Sequence, residues 1–256
     1  MALVRNRVDF VEILTIDRPE SANSIDLNIA HSLSSALDDL EHDVKVRAVV
    51  ITGSGDRFFC AGMDLKAVTN GQADEINGIK GGFAGLVRRT EFPHPIIAAV
   101  NGAAVGGGFE IVLACDLVVA ADNASFALPE ARRGLMAASG GLVRLAKRIP
   151  PTFAFELALT GRAIDAQRAF QLGLVNRVVS RGHALEEAIA LAQEIAANAP
   201  LAVRASKRLL RFSLETGDES AVWSMNYHLA GDVLASADAK EGARAFAEKR
   251  QPQWSI

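Results

Sequence analysis

The sequence is poor in cysteine, in net charge and in aromatic rings, and each shortage removes a class of protein. Cys60 and Cys115 are its only cysteines. Two thiols are too few for a disulfide framework and lack metal-ligand spacing, so a reduced, cytoplasmic setting is expected. A net charge of −3 over 256 residues gives no electrostatic footprint for nucleic acid. Aromatics are 6% of the chain, with no basic surface interleaved with stacking rings, which argues against a nucleic-acid partner. The longest uncharged stretch, 92–109, is interrupted by Pro93, Pro95, Asn101 and a glycine cluster. A membrane span needs about 20 predominantly apolar residues, so no membrane partner is expected. Residues 1–9 hold two arginines but no apolar core of the length a secretory signal requires. No repeat of fixed period and no low-complexity segment is present.

What remains is a chain half apolar and 22% charged, long enough to bury a core without disulfide or metal staples. Its length suits one large domain, alone or with a smaller appendage. The first two-thirds alternates extended and helical signals. Residues 8–17 read as extended, and 26–40 place Ile29, Leu33, Leu37 and Leu40 at helical spacing. Short apolar runs at 48–52, 96–100 and 117–120 read as buried strands, with a short helix, Gly107–Ala114, between the last two. The class is therefore α/β. Residues 69–85 are glycine-rich and read as a mobile segment, either surface loop or lid, ahead of a helix near 83–90. Beyond Pro151 helices dominate, at 153–160, 165–172, 184–198 and 201–214, with one extended piece at 175–179. Asp238-Ala239-Lys240-Glu241 has capping-box spacing and predicts a helix running to about Arg250.

Two loops stand out for their chemistry. Phe58-Phe59-Cys60-Ala61-Gly62-Met63-Asp64-Leu65 follows a strand, and its small residues permit close backbone approach. Met63 is expected to open a helical turn with unpartnered N–H groups, although for this loop taken alone a structural turn is the better reading. Asn101-Gly102-Ala103-Ala104-Val105-Gly106-Gly107-Gly108-Phe109-Glu110 leads three glycines into an apolar helix, whose free N–H groups favour negative charge. The loop lacks the spacings of a nucleotide-binding motif, and Glu110 in the first turn would repel a phosphate. Phe109, Ile111, Val112 and Leu113 predict that Glu110 is buried rather than solvated. Glu130 follows the next strand behind Pro129. Alone it reads as a surface glutamate; beside Glu110 it completes a pair in which one carboxyl stays protonated and the other ionised. Cys60 and His94 read as structural residues.

The motifs in sequence order resemble the enoyl-CoA hydratase/isomerase (crotonase) superfamily over nearly the whole chain. They are Asp17-Arg18-Pro19 with Asn23, Phe59-Cys60-Ala61-Gly62-Met63-Asp64-Leu65, Ile97-Ala98-Ala99-Val100-Asn101-Gly102 with Gly106-Gly107-Gly108, Cys115-Asp116-Leu117, Leu128-Pro129-Glu130 and 241–250. The resemblance implies a spiral core of repeated ββα units over 1–199 and a C-terminal helical trimerisation region over 200–256. It implies a homotrimer or a dimer of trimers, and an acyl-CoA thioester substrate whose coenzyme A is the only cofactor. The thioester oxygen would lie between the N–H groups of Met63 and Gly107, and Glu110 and Glu130 would flank a water. Ala61 and Leu65 would meet the adenine; Arg57, Lys66 and Lys249 would meet phosphates.

The expected reaction is hydration of an enoyl-CoA double bond, with Glu110 as base and Glu130 as acid. An isomerase, which manages with one carboxylate near Glu130, is the alternative; a dehalogenase is disfavoured because neither donor loop holds a histidine. A non-catalytic CoA-ester scaffold and an RNA-binding relative are the readings outside enzymology. After Glu130 the chain departs from the usual Gly-Thr-x-Pro-Gly-x-Gly-Gly run, with Ala137 and Ala138 in place of proline and glycine. A backbone N–H near Ala138 is expected to stand in, with an altered acyl pocket.

Overall fold

The computed structural model describes residues 3–255; Met1, Ala2 and Ile256, which begin and end the two expected regions, lie outside them. An antiparallel hairpin, β1 (Leu3–Val8) and β2 (Val11–Ile16), opens the chain. Asp26 then caps α1 (Leu27–Glu41), its carboxylate accepting the Ile29 N–H at 2.9 Å. That helix buries Ile29, Leu33, Leu37 and Leu40, the face its spacing predicts.

Three units of strand, strand and helix follow. The first holds β3 (Ala48–Gly53), β4 (Phe58–Cys60) and the short α2 (Leu65–Thr69) and α3 (Ala73–Gly78). The second holds β5 (Ile96–Val100), β6 (Ala103–Val105) and α4 (Gly107–Ala114). The third holds β7 (Leu117–Ala121), β8 (Ser125–Ala127) and α5 (Gly141–Arg148). The chain continues through α6 (Pro151–Thr160), β9 (Ile164–Asp165), α7 (Ala166–Gln171), β10 (Arg177–Val179) and α8 (Ala184–Ala196). It ends in α9 (Pro200–Glu215), α10 (Glu219–Ala235) and α11 (Ala237–Glu248).

The first strand of each unit joins one sheet, ordered β1-β2-β3-β5-β7-β10, and the second joins another, ordered β4-β6-β8-β9. This is the ββα spiral that the family resemblance implies. From β2 to β10 the first sheet is parallel, and β3 and β5 are buried at every residue. Such strands are covered on both faces, which explains their unbroken apolar runs. Ala188, Ala192 and Ala196 of α8 cover one face; α1, α4, Phe59, Phe109 and Phe126 pack in the larger core on the other.

Several expectations need correction. No helix spans 83–90: a single 3-10 turn, Phe83–Gly85, forms with Ala84 at φ 55° and Gly85 at φ 62°. Consecutive left-handed residues cannot propagate a right-handed helix. At the C-terminal helix the cap is Ser236, whose Oγ accepts the Ala239 N–H, and not Asp238. Asp238 and Glu241 instead hold the tail: Asp238 accepts the Ser255 N–H at 2.8 Å, and Glu241 accepts the Gln253 N–H at 2.9 Å and Arg250 Nη1 at 2.6 Å.

α9 has no buried residue of its own and is fastened by charge. Asp116, between α4 and β7, accepts Lys207 Nζ at 2.8 Å, Arg211 Nη2 at 2.6 Å and the Ile96 N–H at 2.8 Å. Burial alone would raise the Asp116 pKa, but Lys207 and Arg211 outweigh it and hold the carboxyl below its usual range.

His94 precedes β5 and is 1% exposed, with neither ring nitrogen hydrogen-bonded. Burial, reinforced by Arg204, pushes its pKa from 6.5 down to about 4. A histidine buried neutral stabilises the fold fully above its unfolded pKa, and that contribution is lost as pH falls toward the folded one. Urea titrations should therefore show a loss of ~3 kcal/mol between about pH 7 and pH 4 that is missing in His94→Phe.

Candidate active site

The first donor loop is held by its backbone. The Ala61 N–H donates to Ala22 O at 3.0 Å, the Ile25 N–H to Gly62 O at 2.8 Å, and the Asp64 N–H to Ile25 O at 2.9 Å. Between them, the Met63 N–H is left without a backbone acceptor among the described residues. Met63 pairs with Ile25 in a parallel bridge instead of opening a helix, and α2 starts only after Asp64. The Asp64 carboxylate accepts the Lys66 N–H at 2.9 Å, Arg18 Nη2 at 3.0 Å and Ser24 Oγ at 3.2 Å. Burial would raise its pKa, but these donors outweigh burial and keep it ionised. Asn23 and Asn101 both donate to Phe58 O, at 2.7 and 3.1 Å, and anchor the strand that enters the loop.

The second donor loop ends at Gly106, whose N–H donates to Ala127 O at 2.9 Å. Gly107 is the first residue of α4, where an N–H has no intrahelical acceptor. The two loops touch. A β-carbon on Gly62, which sits at φ 91°, would lie 3.0 Å from Gly107 N, and one on Gly108 would lie 1.9 Å from Cys60 O. The Phe83 ring packs against Gly107. Two free N–H groups thus share one small region at the positive end of a helix, which suits a developing oxyanion.

Glu110 lies one turn further along α4 and is 4% exposed. Its Oε1 accepts the Gly141 N–H at 2.9 Å. Burial raises its pKa, Gly141 opposes the shift, and repulsion from Glu130 adds to it. Glu130 opens a one-turn 3-10 segment, Glu130–Arg133. Its Oε2 is buried with no hydrogen-bond partner, and its Oε1 faces Gly106. Burial raises the Glu130 pKa too. Glu110 is thus supported by the Gly141 N–H, a bond that favours the ionised form; Glu130 has one oxygen, Oε2, shut away from solvent without a partner, which favours the neutral acid.

Met63, Gly107, Glu110 and Glu130 therefore lie around the start of one helix. Ala61 is half-buried in the first donor loop, while Leu65, Arg57 and Lys66 are exposed. Lys249 is exposed at the left-handed end of α11, and no hydrogen bond or ion pair joins it to these residues. Ala137 is buried; Glu110 accepts the Gly141 N–H, and the Ser139 backbone beside Ala138 also lowers its pKa. Gly141 and Phe83 were not singled out from the sequence; Gly140-Gly141 ahead of the apolar positions of α5 was the available signal. Cys60 is fully buried, and burial pushes its thiol up to about 12, so it is a packing residue. Gly108→Ala should cost about 3 kcal/mol in urea unfolding, because the Cys60 carbonyl cannot yield without moving the donor loop.

The sequence pattern described as enoyl-CoA hydratase/isomerase matches residues 8–256. A carnitinyl-CoA dehydratase of Proteus mirabilis (strain HI4320) is 45% identical over 251 residues, covering 97% of this chain and 95% of that protein. Among solved structures, an enoyl-CoA hydratase from Mycobacterium tuberculosis H37Rv superposes with a TM-score of 0.94 at 43% identity, over 99% of this chain and 98% of the other. A carnitinyl-CoA dehydratase from Mycobacterium avium 104 gives 0.76 at 45% identity, over 100% and 99%. With two neighbouring backbone donor loops, two glutamates beside them and this likeness along its full length, the chain belongs to the enoyl-CoA hydratase/isomerase (crotonase) family and is an enzyme of the hydro-lyase kind.

Proposed function

We propose that the protein adds water reversibly across the α,β double bond of an enoyl-CoA thioester. The observation that carries this reading is the contrast between the two carboxyls, Glu110 Oε1 held by the Gly141 N–H and Glu130 Oε2 shielded from solvent with no hydrogen-bond partner. The thioester oxygen accepts from the Met63 and Gly107 N–H groups. The Glu110 carboxylate takes a proton from water as its oxygen bonds to Cβ. The electron pair of the double bond moves onto the thioester oxygen as an enolate, and the Glu130 carboxylic acid returns a proton to Cα. Loss of one oxyanion donor in other enzymes costs about 3–4 kcal/mol. Run backwards, the same steps eliminate water, and the similarity to carnitinyl-CoA dehydratases makes a hydroxyacyl-CoA of that sort a second substrate reading. Coenzyme A is part of the substrate, and no separate cofactor enters these steps.

Around the first donor loop, Ala61 and Leu65 offer backbone to the adenine, and Arg57 and Lys66 offer charge to the phosphates. Lys249 would serve as a further phosphate contact. Residues 1–199 form the catalytic core in this reading, and 200–256 the assembly region of a homotrimer or a dimer of trimers. Support comes from α10, which buries only Leu229 of its 17 residues and exposes Trp223, Tyr227 and Leu234, an apolar surface suited to burial between subunits. No helix of the described residues is long and apolar enough to cross a membrane.

The test is loss of the conjugated absorbance of crotonyl-CoA in the parent, Glu110→Gln and Glu130→Gln. Both variants should fall by ~10²–10⁴-fold in kcat/KM. Loss in Glu130→Gln alone, with double-bond migration retained in Glu110→Gln, would indicate an isomerase. Because both carboxyl pKa values are raised, the rate should fall on the acid side as Glu110 gains a proton. It should fall on the alkaline side as Glu130 loses one. A rate that is flat across both limbs would contradict the acid–base assignment.

A further inference from the structure

A cavity of about 900 Å³ does not contain the two glutamates but is lined by residues next to Glu110. It is a wedge between α5 and α9. Val143, Arg144, Lys147 and Arg148 line it from one face of α5; Val203, Lys207, Leu210, Arg211 and Leu214 line it from one face of α9. Both sets follow helical spacing, so each helix presents a continuous stripe. Leu113, one turn beyond Glu110 on α4, is part of its wall. So are Ser139 and Gly140, immediately ahead of the Gly141 N–H that Glu110 holds. The segments that position Glu110 therefore also build this cavity.

The wall is apolar but strongly positive. Six cations line it, Arg88, Arg144, Lys147, Arg148, Lys207 and Arg211, against two carboxylates, Asp116 and Glu215. Asp116 is already engaged by Lys207 and Arg211. Arg88, Arg144, Lys147 and Arg148 have no carboxylate partner among the described residues. Arg144 and Arg148 donate only to carbonyl oxygens, those of Val87 and Ser139 and that of Cys115, and Lys147 Nζ donates to Leu214 O at 2.5 Å. Carbonyl oxygens satisfy N–H geometry but leave the charge uncompensated, and a partly buried cation without a counter-charge is costly. Burial and the neighbouring Arg211 lower the proton affinity of Arg144, as expected where cations outnumber anions. Pocket volumes of this size accept a small amphipathic molecule.

Resting on the reading of the chain as an acyl-CoA enzyme, we propose that this cavity receives the far end of the acyl group and selects an acyl chain that terminates in a carboxylate. The apolar stripes of α5 and α9 take the methylene chain, and Arg144 and Lys147 of α5 meet the anionic end. A methyl end gains only the apolar contact. A quaternary ammonium end, as on a carnitinyl group, is repelled by the same cations.

Calorimetry on the full protein with saturated acyl-CoAs tests this independently of any reaction. Such thioesters cannot be hydrated, so the outcome does not depend on hydratase activity, which the crotonyl-CoA assay decides separately. A length series is made with methyl, carboxylate and trimethylammonium ends. At the length that reaches the wedge, the carboxylate-ended ester should bind about tenfold tighter than the methyl-ended one, the worth of one half-buried ion pair. The trimethylammonium-ended ester should bind more weakly than either, and salt should compress the differences. Arg144→Met should reduce the carboxylate-to-methyl ratio, and Lys147→Met, at an exposed position, gives the same readout if Arg144→Met does not fold. Equal affinity for the three ends at every length, or a preference for the trimethylammonium end, would overturn the proposal. A ratio unchanged in a folded variant would overturn the assignment to these side chains.

Discussion

The whole site depends on the approach of two backbone loops to contact distance. With the Cys60 carbonyl less than a β-carbon's reach from Gly108, and Gly107 N beside Gly62, no side chain can stand between the loops. That proximity brings the Met63 and Gly107 N–H groups into one region, as the proposed oxyanion site requires. It constrains much else: the Asn23 and Asn101 amides hold Phe58 O from two sides, and the Asp64 carboxylate ties the loop exit to Arg18 and Ser24. The motif residues of the N-terminal third thus act on the chemistry by fixing backbone, without needing to touch substrate.

The proposed acid–base pair is tied to the same helix. α4 is short and apolar, so a glutamate in its first turn is carried into the core, where burial raises its pKa. Glu110 differs from Glu130 in accepting a backbone N–H from a segment far along the chain. Gly141 supplies it because the chain re-enters a helix there through two glycines, and the neighbouring Ala137 fills the space with a methyl group. The replacement of proline and glycine at 137 and 138 therefore leaves the support of Glu110 intact and falls instead on the wall of the adjoining cavity, which Ala138 lines.

That cavity exists because α9 is attached by charge rather than by an apolar face. Asp116 gathers Lys207 and Arg211 at the end of the catalytic helix, and Arg211 also donates to Ala114 O at 2.7 Å. Ionic fastening at one point holds the helix over the core without filling the space beneath it. A helix packed on leucines would have closed the wedge. The surplus of cations there is the local departure from a sequence whose overall charge is slightly negative.

The buried strands β3, β5 and β7 and the helices α1, α4 and α8 were legible in the sequence, because burial on both faces or on one helical stripe writes itself as an apolar pattern. Glu110 was legible for the same reason: its apolar neighbours announced a buried helix. The three-residue strands β4, β6 and β8 were not, since so short a segment has no period to read. Nor was the break at Phe83–Gly85, where left-handed φ values override a plausible helical spacing. By itself the sequence determined the α/β order, the loop glycines and the pair of glutamates, all of which depend on neighbours along the chain. Only the tertiary structure decided that Gly141 supports Glu110, that Glu130 Oε2 is shut away without a partner, and that four cations in one wedge have no carboxylate partner among the described residues. Those depend on distances between segments far apart in sequence, which no local pattern encodes.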